Sequence, residues 1–251
     1  MSILGVDVPP ITHVTVWPTG PLGLNKTALV YFLATIITLA IFFVAGRKRR
    51  MVPTGVQAVA ESGIDFVRDQ VIMQTMGVEG LGYLPYLTTL FFFILFSNIF
   101  EIIPGFQFPA NARYGVPLML ALITWVIFNV VGVAKQGFGH YIKNSLIPPG
   151  VPKPILILVI PIEFISTFLV RPFSLSVRLF ANMLAGHLIL VTFATLCAAL
   201  FAASITIVIL PFSFALLVAM TGFEILVSFL QAFIFTILTA VYIGGAMHPE
   251  H

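Results

Sequence analysis

ILILVIPIEFISTFLVRPFSLSVRLFANMLAGHLILVTFATLCAALFAASITIVILPFSFALLVAMTGFEILVSFLQAFIFTILTAVYIG, Ile155–Gly244, is the stretch that decides the fold. Five of its ionisable residues carry weight, Glu163, Arg171, Arg178, His187 and Glu224; nearly everything else is apolar. Shared between two helices, it gives about 45 residues and roughly 67 Å to each, against a hydrocarbon core of about 30 Å. Either four short spans are packed here or two long helices lie strongly tilted. Four spans need three turns, and turn signals are few. We therefore expect a long helical hairpin over 155–245, turning near Ala203–Ser204.

The rest of the chain agrees with a membrane setting. Hydrophobic residues make up 59% of the 251 and charged ones 8%, with 25 phenylalanines. A soluble domain carries roughly 25% charge, and its core cannot hide so much apolar surface. Cys197 is the single cysteine, which excludes an internal disulfide framework and reads as an inert hydrophobe. The net charge of +3 is small and scattered, so nucleic acid is not expected as a partner. The N-terminus lacks the basic start and immediate apolar run of a cleaved signal.

Three more spans are expected at 28–46, 84–103 and 116–134. Residues 55–73 form an amphipathic helix: Val56, Val59, Ala60, Ile64, Val67 and Val71 recur at helical spacing opposite Gln57, Glu61, Asp65, Arg68 and Asp69. It is open to two readings, an interfacial or partner-bound helix and a solvated surface helix. Arg47, Lys48, Arg49 and Arg50 follow the first span, and Lys135, Lys143 and Lys153 follow the third. By the positive-inside rule both groups are cytoplasmic. That puts the N-terminal segment 1–27 and the loop with Arg113 outside, and the C-terminus in the cytoplasm. Pro148, Pro149, Pro152 and Pro154 mark a stiff connection before the hairpin. The expectation is one all-α integral membrane domain over 1–251. It has about five membrane-crossing helices, the last two long, tilted and paired as a hairpin, plus one interfacial amphipathic helix.

Ionisable groups in hydrocarbon are functional by default. If the hairpin is antiparallel, Arg178 falls level with Gln231, Asn182 with Ser228 and His187 with Glu224, because each pair's residue numbers add to nearly the same total. Arg171, Ser174, Arg178 and Asn182 share one helical face, as do Glu224, Ser228, Gln231 and Tyr242. His187 lies nine residues beyond Arg178, on roughly the opposite face. His187 and Glu224 can exchange protons near neutral pH, whereas Arg178 stays charged. A fixed cation favours an ionised carboxylate brought beside it without relaying protons itself. Such a carboxylate facing Arg178 is missing here, which points to another subunit.

Blander readings stand beside these. Arg171 can snorkel to the interface, and Glu163 can be a dipole-favoured carboxylate near the start of its helix. His187 with Glu224 can be a structural pair. Asn98 and Glu101, in FSNIFEIIPG, read equally as interface residues and as groups admitting protons.

The runs SLSVRLFANMLAGH (Ser174–His187) and FLQAFIFTILTAVYI (Phe229–Ile243) resemble the signature of subunit a of F-type ATP synthases, and the order of spans resembles it too. The resemblance makes Arg178 the essential stator arginine, with Asn182 beside it and Gln231 facing it. His187 and Glu224 match two proton-channel positions at which relatives often carry the two residue types exchanged. Asn98 and Glu101 match the external half-channel, and Glu163 a carboxylate near the cytoplasmic exit, with Ser174 close by. The implied function is to form two half-channels and couple proton flow to rotation of a ring of c subunits, and so to ATP synthesis. The implied partners are that c ring, b-type peripheral stalk subunits, the remaining synthase subunits and the lipid bilayer. The implied location is a bacterial plasma membrane. No cofactor or metal is expected, and the chain is not expected to be an enzyme by itself, having no Gly-rich phosphate loop. The rival class is a self-contained proton-coupled secondary transporter, which predicts internal repeats and broken helices; no convincing repeat is present.

Overall fold

The computed structural model of the protein describes residues 2–3, 6–7, 26–47, 51–103, 110–147, 153–202 and 209–247. Its helices are α1 (Lys26–Arg47), α2 (Val56–Phe66), α3 (Leu84–Ile99), α4 (Gly115–Gln136), α5 (Phe138–Leu146), α6 (Lys153–Ile165), α7 (Arg171–Ala202) and α8 (Leu210–Met247). A short antiparallel pairing of Ser2–Ile3 with Val6–Asp7 precedes them. Among the described residues, five helical stretches are long and apolar enough to cross a bilayer. The exposed stripe Phe32, Ile36, Leu39 and Phe43 on α1 shows the inside-out polarity of a chain solvated by lipid.

α6 and α7 form one continuous rod through a π-helical stretch, Ser166–Val170. Pro172 explains the wide turn: it has no N–H to return to the carbonyl of Phe168, and its ring crowds that oxygen. Pro161 also lies inside α6. The apolar run Pro154–Phe201 spans 48 residues and α8 spans 38, far more than the roughly 20 that a perpendicular crossing needs. α8 packs along α7 and across α3, while α7 packs on α4. Val71, Leu87, Phe91, Phe128, Leu179 and Phe235 lie in the core these elements share. A second, smaller core joins Val30 and Ala34 of α1 to Phe100 and Ala110.

Four expectations need amendment. The span placed at 84–103 ends its regular helix at Ile99, because Pro104 bars helical geometry just before it. Glu101 therefore sits in a tight turn, its N–H bonded to the Asn98 carbonyl at 3.1 Å. Residues 138–146, read as loop, form α5. Gly137 (φ 80°) breaks α4 in a conformation other residues avoid, and bare Gly132 lets the Tyr141 ring lie against α4. Burial lifts the Tyr141 hydroxyl above the usual tyrosine range, and it donates to Asn129 Oδ1 at 3.1 Å. The amphipathic helix continues through a π turn, Val67–Ile72, to Met73–Thr75. Its buried face takes Ala60, Val67 and Val71, but Val56 and Val59 are exposed and Gln57 is buried. The fourth amendment concerns pairings across the hairpin, described below. The hairpin turn near Ala203–Ser204 lies outside the described residues, as do most of segment 1–27, Lys48–Arg50 and the prolines 148–152.

Candidate functional site

Three elements bring ionisable groups to one point. Glu101 comes from the turn after α3, His187 from α7 and Glu224 from α8; all three are buried. His187 Nδ1 lies 3.2 Å from Glu101 Oε1. The Glu224 carboxyl lies directly against Gly186, where any Cβ would overlap it. Glycine in mid-helix costs roughly 1 kcal/mol against alanine. Here it opens a slot in α7 for a carboxyl group.

Next along the seam, Asn98 Nδ2 reaches the Ser228 carbonyl at 3.4 Å. Asn182 Nδ2 donates to Gln231 Oε1 at 2.8 Å. A void of about 10 Å³ between Asn98, Asn182, Glu224, Ser228 and Gln231 has room for about one water molecule. Beside it runs a groove of about 240 Å³ between α7 and α8, also bordered by Asn182, Gly186, Glu224 and Gln231. Several buried polar atoms here have no hydrogen-bond partner among the described residues: Glu101 Oε2, His187 Nε2, Ser228 Oγ and Gln231 Nε2. Leaving such groups unserved costs about 1–3 kcal/mol each. A fold does not concentrate that cost at one seam for stability, and such atoms are natural hosts for a chain of water.

Two of the three expected pairings across the hairpin take other partners, while Asn182 and Ser228 border one void. Gln231 bonds Asn182, not Arg178. His187 contacts Glu101, and Glu224 turns to Gly186. The reason is angular. Being level along two helices does not make side chains face each other, and His187 points away from the α7 face that carries Arg178.

Arg178, Ser174 and Glu163 are half-buried and Asn182 is exposed. None of the first three joins the Glu101–His187–Glu224 cluster. Arg178 makes no hydrogen bond or ion pair among the described residues. Arg171, about two turns back along α7, sits 5.4 Å from the centre of the Tyr242 ring. That contact holds the guanidinium on an aromatic face, which is compatible with the snorkelling reading of Arg171. Among the described residues, no three His, Cys, Asp or Glu side chains are disposed to hold a metal ion.

Gly186 was not singled out in the sequence, although an isolated glycine within a helical pattern and beside an ionisable residue is a signal of close approach. Asn111, Tyr31 and Ser97 were also missed. They join the site only through tertiary contacts: Asn111 Nδ2 donates to Ser97 Oγ at 2.9 Å and to Asn98 Oδ1.

A family model described as ATP synthase A chain matches residues 28–244. The chain is 46% identical over 235 residues to ATP synthase subunit a of Rhodococcus erythropolis, covering 92% of this chain and 85% of that one. It is 43% identical to that of a Nocardioides species (92% and 84%), and 42% identical to that of Maricaulis maris (94% and 95%). Likeness of this extent, over the whole order of spans, sets aside a self-contained transporter: the chain belongs to the ATP synthase A chain family.

Proposed function

We propose that the chain divides the membrane into two offset proton paths and that Arg178 is the barrier between them. As a family member it is the proton-conducting subunit of an ATP synthase membrane sector and is not itself catalytic. The observation that carries the finer reading is the contrast along α7. Arg178 is a permanent cation without a counter-charge of its own among the described residues, whereas Glu101, His187 and Glu224 are enclosed together nine residues and more away. An uncompensated guanidinium in hydrocarbon is costly. It is stabilised when a carboxylate from a neighbouring subunit faces it, and a ring of c subunits would supply one.

In this reading protons enter from outside past Asn98 and Glu101, and pass through His187 and Glu224 to the ring carboxylate. Ser228, Gln231 and Asn182 line the last step. Neutral, that carboxyl can face lipid, because losing its charge removes most of the desolvation cost. After nearly a full turn it releases its proton towards the cytoplasm near Ser174 and Glu163. Ionised again, it passes Arg178. Each proton crossing 100 mV releases about 2.3 kcal/mol, so several are needed for each ATP.

The positive-inside rule orients the chain with its N-terminus outside and C-terminus in the cytoplasm. The bond from Gln136 to the Ala246 carbonyl supports this, since it keeps the end of α8 beside the lysine-bearing end of α4. A cysteine introduced at Lys143 should react with an impermeant reagent only from the cytoplasmic side, and one at Arg113 only from outside. The reverse pattern would invert both paths.

The direct test is proton-driven ATP synthesis by the reconstituted complex, with the chain copurifying with its ring. Arg178→Ala should leave the complex assembled, abolish synthesis and raise passive proton leak. Normal coupled synthesis in that variant would sink the reading.

A further inference from the structure

We propose that Asn111, in the connection between α3 and α4, is a positioning residue that fixes the amide of Asn98 so that Asn98 offers the proton path only hydrogen-bond donors. The proposal rests on the reading of Asn98 as part of that path. Asn111 is fully buried, unusual for a polar residue in a connecting segment. Three elements hold its carboxamide. Tyr31 of α1 donates to its Oδ1 at 2.8 Å, and its Nδ2 donates to Ser97 Oγ and to Asn98 Oδ1.

The direction of every bond in this network is determined by one commitment. Ser97 Oγ gives its single proton to the Ile94 carbonyl at 2.9 Å, so towards Asn111 it can only accept. Asn111 must therefore present its NH₂ to Ser97 and its oxygen to Tyr31. The second N–H of that NH₂ then meets Asn98, which must answer with Oδ1. Asn98 is left with Nδ2 towards α8, where it reaches the Ser228 carbonyl and borders the small void beside Glu224. A donor-only face supports a carboxylate or the lone pair of a water. It cannot accept a proton and hold it. Tyr31 is steadied in turn by stacking on Phe93 at 6.0 Å, so α1 takes part in aligning Asn98 through Asn111.

The test compares Asn111→Asp, Asn98→Ala and the double variant in the assembled complex, reading proton-driven ATP synthesis in vesicles. Asp is isosteric with Asn but presents an oxygen where the NH₂ was, which forces Asn98 to turn its amide over. Each single change should lower the rate about five- to tenfold, and the double variant should be no slower than Asn98→Ala alone. The groups near the network that carry or take charge are Tyr31 of α1, Arg113 of the same connection, Glu101, His187, and Glu224 across the small void. Relative to the parent, the Asn111→Asp rate should recover as the pH falls, because a protonated Asp can again donate to Asn98. Effects that multiply in the double variant, with no recovery at low pH, would overturn the proposal and make Asn111 a packing residue. An unchanged rate in Asn98→Ala would instead remove the premise that Asn98 lies on the path, and the proposal with it. If Asn111→Asp fails to assemble, Tyr31→Phe removes one bond of the network, and a loss of about twofold that disappears in the Asn98→Ala background is then the expected result.

Discussion

The two stretches of α7 on either side of Arg178 are built differently. On the His187 side, ionisable groups from three elements are enclosed: Glu101 is 2%, Glu224 5% and His187 7% exposed. On the Arg171 side, Glu163, Ser174 and Arg171 are only half-buried, with the Tyr242 ring of α8 under the Arg171 guanidinium. The first half is enclosed by the fold of this chain, and the second is enclosed less. An enclosed group can be tuned by its own chain's packing, through a slot such as Gly186. A group on an open face takes its final environment from whatever covers it. Substitutions should therefore act through geometry on the His187 side and through charge on the other.

The largest effect should come at the boundary. Arg178→Lys keeps a positive charge but loses the planar fork, and its ammonium can shed a proton when desolvated. We expect synthesis to fall by at least about thirtyfold, roughly 2 kcal/mol on a scale of 1.4 kcal/mol per tenfold. A rate within twofold of the parent would mean that any cation suffices there.

Next comes Gly186→Ala, a change of one methyl group on the enclosed side. Its Cβ would occupy the place of the Glu224 carboxyl, and overpacking of this kind costs about 1–3 kcal/mol. Proton flux should fall about tenfold with the complex intact. Shortening the intruding side chain by Glu224→Asp in the same protein should restore part of it. If the pair is no better than Gly186→Ala alone, the slot is not what matters.

A smaller effect separates the two partnerships open to His187. A double-mutant cycle on flux with His187→Ala and Glu101→Gln should give a coupling of about 1 kcal/mol, as expected for groups in contact. The corresponding cycle with Glu224→Gln should give less, because Glu224 leans on Gly186. The opposite ranking would favour the level pairing across the hairpin over the contact seen here.

The smallest effect belongs to the open side. Tyr242→Leu removes the ring beneath Arg171, a contact worth about 0.5–1 kcal/mol at a partly exposed site. Flux should change by only about two- to fivefold, mainly at low ionic strength. A tenfold loss would assign Arg171 a part in the path itself.

Composition, span length and the rarity of charge in hydrocarbon made the membrane fold legible from residues alone, and they isolated Arg178, His187 and Glu224. Helical angles also put His187 on a different face from Arg178. These features are local: they depend on a fixed rise and twist per residue, which the sequence carries with it. Tertiary structure alone decided which groups touch. That His187 meets Glu101, that Glu224 fits against bare Gly186, and that Tyr31 and Asn111 align Asn98 all depend on how tilted helices cross and how far side chains reach. Crossing geometry is set by packing summed over many residues. For that reason the matching residue numbers along the hairpin found the right neighbourhood but paired the wrong side chains.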